Sequence, residues 1–170
     1  MDFTQLIDDY LDGPQKLRAA VAGMTAEQLD AHPIPGKWSI KEVVCHVADY
    51  EPVYADRMKR VIAENQPTLL AGSPDAFVAR LAYNQRDLDE EFALIEVVRS
   101  QMARILRSLS PEDFQRTGIH SVRGPVALEK LLKQITDHIP HDIKFIDERR
   151  EWTHGGSHRN VGESGSIGSH

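Results

Sequence analysis

"LLKQITDHIPHDIKF", residues 131–145, is the stretch on which the reading of this chain turns. Leu128, Leu131, Leu132, Ile135, Ile139 and Ile146 recur at the three-to-four-residue spacing of an amphipathic helix. Two histidines, a proline and an aspartate interrupt it. On a wheel of about 100° per residue with Ile135 at zero, Asp142 falls at about -20°, inside the apolar stripe. His138 falls at about -60°, on the edge of the stripe, and His141 near -120°, on its flank. An unpaired carboxylate inside a bundle is costly, so Asp142 requires a cation, a donor or a metal. His138 and Asp142 are i and i+4, which sets their side chains next to each other. Such a pair is either part of a metal site of the kind built into bundle interiors or a hydrogen-bonded pair at a surface edge. Pro140 cannot bond back to the carbonyl of Thr136, so a bend is expected beside these residues.

Outward from this helix, three more long helical stripes are legible. The first runs from Phe3 to Met24 and stays in phase across Gly13-Pro14, which reads as one kinked helix. Thr25 and Gln28 then form a capping box for a short turn. The second long helix starts at Ser39, where "SIKE" is another capping box, and passes through Pro52, where a bend is expected. A long connection follows to about Arg86, with a helical turn of its own around Phe77 to Leu81. The third helix spans about Asp87 to Leu109, and "SPED" caps a short turn at Ser110. "GIHSVRGPV" is a Gly/Pro-bounded loop or a short hairpin arm, Pro125 sits where a helix would start, and the fourth helix runs to about Trp152. No run is a convincing strand. Four amphipathic helices with one long connection give an all-α four-helix bundle. Residues 1–152 form the expected domain, and 153–170 a Gly/Ser-rich mobile tail whose histidines, His154, His158 and His170, make at most a loose metal scavenger.

Composition narrows the classes of function. The 170 residues carry a formal net charge of -6, with 41% hydrophobic and 27% charged residues. Those are globular values. The acidic balance argues against nucleic acid as a partner. No apolar run is long enough to span a membrane. One cysteine, Cys45, excludes an internal disulfide, and the acidic N-terminus is unlike a signal peptide. A soluble cytoplasmic protein is the expectation. Among other reactive groups, His46 lies on the flank of the second helix, Asp49 points outward and reads as solvated, and Cys45 reads as a packed side chain rather than a nucleophile.

"GKWSIKEVVCHVADYEPVYADRMK" resembles the W-[ST]-x-x-[EQ]-x-x-x-H-x-x-D segment of the DinB/YfiT-like superfamily, through Trp38, Ser39, Glu42, His46 and Asp49. "RTGIHSVRGPVALEKLLKQITDHIPHDIKFI" resembles the closing segment of that family, where an H-x-x-x-G loop leads into a last helix with a histidine cluster. The likeness covers about residues 3–150. It implies an up-down-down-up four-helix bundle, often a homodimer, holding a divalent metal ion (zinc, nickel or iron). The implied ligands are His46, His138 and Asp142, the last where the family usually has histidine, with His141 as the alternative third ligand. Family members include S-transferases that use a low-molecular-weight thiol, hydrolases and isomerases. The resemblance therefore implies a thiol S-transferase acting on a small-molecule substrate, with a metal-dependent hydrolase or a non-catalytic bundle serving dimerisation or ligand binding as rivals. Three protein ligands would leave open positions on the ion. Arg57, on the flank row of His46, is then a candidate for an anionic group of a thiol, or else a surface salt bridge. Tyr50 and Tyr54 either line the cleft or pack in the core.

Overall fold

The computed structural model describes residues 2–154. In chain order, α1 (Thr4–Val21) is followed by α2 (Ala26–Asp30), α3 (Ile40–Ala63), β1 (Thr68–Leu69), α4 (Pro74–Arg80) and α5 (Leu88–Arg107). β2 (Thr117–His120), β3 (Gly124–Ala127) and α6 (Leu128–His154) complete it. α3 and α5 begin where side chains serve the first free N–H groups. Ser39 and Glu42 cap α3 reciprocally, and Asp87 accepts from the N–H groups of Asp89 and Glu90 at the head of α5.

α1 and α3 each pack against both α5 and α6, so the four long helices form a square with α1 and α3 on one diagonal. Two apolar clusters fix their directions. One joins Phe3 and Ile7 at the start of α1 with Val61 at the end of α3, Leu106 at the end of α5 and Leu128 at the start of α6. The other joins Leu17, Ile40, Phe92 and Ile146, from the opposite ends of the same helices. The order is therefore up-down-down-up. Because α3 and α5 run the same way, the chain between them must travel back along the bundle, and residues 64–87 do so.

Both proline-bearing helices with candidate ligands, α3 and α6, remain continuous through Pro52 and Pro140, as α1 does through Pro14. Pro14 has no N–H to offer the carbonyl of Tyr10. Arg99, reaching across from α5, donates to that carbonyl through Nη1 at 2.6 Å. Gly13 makes room for it: a Cβ there would stand 2.3 Å from the same nitrogen.

The expectation of no strand is corrected by a small sheet of order β1-β2-β3, with β1 parallel and β3 antiparallel to β2. The Gly/Pro-bounded loop is a hairpin. Gly124 closes it at φ 76°, a region open to glycine, and His120 Nδ1 accepts from the N–H groups of Val122 and Arg123. Pro125 lies in β3 rather than at the head of α6, on an edge strand where a missing N–H is tolerated. At the far end α6 continues to His154. Residues 155–170, the rest of the expected tail with His158 and His170, lie outside the described residues. Among those described, no helix is long and apolar enough to cross a membrane.

Candidate metal centre

α3 and α6 run antiparallel side by side, and each brings its part of one polar cluster to their interface. The capping box at Ser39 fixes where α3 begins. The Trp38 carbonyl, just before it, accepts from Arg149 Nε, so the head of α3 is tied to the last turns of α6. Seven residues into α3, His46 Nε2 lies 3.0 Å from His138 Nε2. Asp142 Oδ2 lies 3.2 Å from His138 Nε2 and 3.7 Å from His46 Nε2. Among the described residues these three offer ligand atoms that all lie within 4.8 Å of one another. Donor atoms about 2.0–2.2 Å from a shared centre sit roughly 3–3.5 Å apart, so the spacing suits a single ion.

Electrostatics agree with that use. Burial pushes His46 down to about 4, against a small opposing pull from Asp49. Burial also pushes His138 down to about 3, helped by the neighbouring His46, Arg99 and His141. Both imidazoles are therefore neutral near neutral pH, the state in which histidine binds metal. Burial raises Asp142 to about 7, with Arg149 pulling the other way. Its Oδ2 is buried without a hydrogen-bond partner, as are the Nδ1 atoms of both histidines. A carboxylate 4% exposed with an unused oxygen between two neutral imidazoles fits a divalent cation, and among the described residues no lysine or arginine pairs with it directly.

The comparisons with known proteins agree with the fold. Residues 10–146 match the DinB superfamily. The chain belongs to the DinB superfamily. A candidate metal-dependent hydrolase of Oceanobacillus iheyensis is 28% identical over 149 residues, 86% of each chain. The Bacillus subtilis protein YfiT, named as a candidate metal-dependent hydrolase, is 29% identical over 136 residues, 79% of this chain and 76% of its own. The solved structure of YfiT, described as having an unusual four-helix bundle topology, superposes with a TM-score of 0.82 at 27% identity, over 91% of this chain and 88% of that one.

The residues that carry the DinB resemblance divide into different tasks. His46 joins the cluster, Ser39 and Glu42 cap α3, and the Trp38 ring packs against His46 with centroids 5.1 Å apart. Asp49, expected to be solvated, is instead half-buried and paired with Arg86, whose guanidinium also holds Glu91. This closes the end of the long connection onto α3 and α5. His141 is not brought into the cluster. It is exposed and stacks edge-on against Phe145, because α6 keeps its regular phase past Pro140.

Other sequence candidates fall outside the cluster or at its margin. Cys45 is fully buried, and burial pushes its thiol up to about 12. Arg57 does not make the surface salt bridge expected as its alternative. It is buried, donates from Nη2 to the Leu70 carbonyl at 2.6 Å and lies over the Tyr54 ring. Tyr50 packs its ring 4.8 Å from His46, 6.2 Å from His138 and 5.6 Å from Phe77 of α4. The connection between α3 and α5 thus contributes an aromatic side chain to the surroundings of the centre.

Proposed function

We propose that this chain is a metal-dependent hydrolase of a small molecule, with one divalent ion held by His46, His138 and Asp142. The observation that carries the reading is the convergence of two neutral imidazole Nε2 atoms and one buried, unpartnered carboxylate oxygen from two helices. A divalent ion held there would supply a Lewis acid that activates water and polarises a scissile carbonyl or phosphoryl group. The protein's own contribution is to keep both histidines unprotonated, hold the aspartate inward through the i, i+4 pairing, and flank the site with Trp38 and Tyr50. Those rings give the approach an apolar, partly dehydrated character suited to a small organic substrate.

Transfer to a low-molecular-weight thiol is the second reading of the same centre. The names of the relatives and the nitrogen-and-oxygen donor set both favour water over a soft thiolate as the activated nucleophile. A panel of esters, amides and phosphoesters, with and without added thiols, on zinc-loaded protein separates the two. Hydrolysis without thiol, abolished by His46→Ala, supports the first reading. Electrophile consumption that requires a thiol replaces it with the second.

A further inference from the structure

One fully buried guanidinium, that of Arg99 on α5, touches the other three long helices directly beneath the candidate ligands. Its Nε and Nη2 donate to Glu51 Oε1 on α3 at 2.9 and 2.6 Å. Nη2 also donates to the Ile135 carbonyl on α6 at 2.8 Å, and Nη1 to the Tyr10 carbonyl on α1 at 2.6 Å. The plane of the guanidinium lies over the Tyr10 ring, 4.5 Å from its centroid. Glu51 follows His46 by five residues, about 7–8 Å along α3, and Ile135 precedes His138 by three, about 4.5 Å along α6. Because α3 and α6 are antiparallel, both steps lead towards the same end of the bundle. Arg99 therefore ties the two ligand-bearing helices together about one turn from the metal centre.

Stability alone is a poor account of this arrangement. A buried ion pair exchanged for apolar side chains of like volume is often neutral or stabilising. Yet three features of α1 serve this one side chain: no Cβ at Gly13 to collide with Nη1, no N–H at Pro14 to occupy the Tyr10 carbonyl, and the Tyr10 ring as a platform. Planar, multi-donor geometry is what arginine offers for fixing several acceptors at once. We propose that Arg99 is a positioning residue for the metal centre, setting the spacing of α3 and α6 through Glu51 and the Ile135 carbonyl so that His46 and His138 meet at one ion.

This inference rests on the metal reading above, and its test separates the two. Cobalt(II) is titrated into the full chain, following its absorption bands, with zinc competition for affinity and a melting curve of the metal-free protein for fold. The Arg99→Met/Glu51→Leu double variant removes both buried charges. It should melt within a few degrees of wild type, yet bind cobalt(II) tenfold or more weakly with altered bands, the size of loss seen when groups supporting metal ligands are removed. Arg99→Lys, able to pair with Glu51 but not to reach both carbonyls, should recover only part of the affinity. Gly13→Ala leaves both charges and displaces the guanidinium, so a severalfold loss is expected; this variant carries the test if the double variant does not fold. Wild-type affinity and bands in the double variant, or in Gly13→Ala where only that one folds, would reduce Arg99 to core packing and overturn the inference alone. A wild-type protein that takes up no cobalt(II) would overturn the metal reading and the inference with it.

Discussion

Asp142 Oδ2 stands 3.2 Å from His138 Nε2, one turn further along the same helix, with Asp142 buried and His138 partly buried. His141, one residue before Asp142, is exposed and meets the Phe145 ring edge-on. A regular helix separates neighbours by about 100°, so it can send only one of these two side chains inward with His138. Asp142→Ala should therefore weaken zinc binding by two orders of magnitude or so, whereas His141→Ala should leave it within about twofold of wild type. Calorimetric titration of both variants checks this. Equal losses would mean that α6 rotates at Pro140 when metal binds.

A second prediction concerns pH and the metal-free protein. Burial raises Asp142 to about 7, above the ordinary carboxylate range that applies in the unfolded chain. For an acid raised in this way, the folded state binds more protons than the unfolded one between the two values. Its contribution to stability is full below the ordinary range and lost as pH rises through about 7. His46 and His138, pushed down, act in the opposite sense: their contribution is full above the ordinary histidine range and lost as pH falls through about 4 for His46 and about 3 for His138. Asp142→Asn removes the first effect and leaves the others. Its stability relative to wild type, from urea melts without metal, should climb between about pH 4 and 7 and stay level above that. A flat difference across the range would show that Asp142 is not held in a charge-averse setting.

Several parts of this architecture can be read directly from the chain. The capping boxes at Thr25 and Ser39 are local chemistry within four residues, and the stripes of the long helices are dictated by the 3.6-residue repeat. The pairing of His138 with Asp142 is legible for the same reason. What escapes such a reading depends on contacts between distant segments. Arg99 occupies a slot in its own stripe, between Ile95 and Met102, and Glu51 a slot between Val47 and Met58. Their places on the inward faces are the signal; that the two charges meet each other is decided by packing. Asp49 looks solvated until Arg86 arrives from the far end of the connection, 37 residues away. The hairpin around Gly124 has strands of four residues, too short to show alternation against a Gly/Pro background, and Pro125 imitates a helix start.

Cys45 supplies a third prediction. Its thiol is fully buried, with Sγ 3.7 Å from the Tyr83 carbonyl, and burial pushes its pKa up to about 12. Since the thiolate is the reactive species, alkylation of the native protein should be negligible at pH 8 and become rapid only in denaturant. Mass spectrometry after iodoacetamide treatment reads this out. Rapid native-state labelling would place Cys45 at an accessible, activated position and reopen it as a nucleophile.

The proposed site between α3 and α6 would hold one divalent ion on His46, His138 and Asp142. The most direct test is the metal content of a protein ending at Thr153, which lacks His154, His158 and His170, purified without chelators and measured by plasma mass spectrometry. Close to one divalent ion per chain is expected in this truncated protein, and close to none when His138→Ala is introduced into it. Metal lost with the tail, or retained after His138→Ala, would place the ion elsewhere.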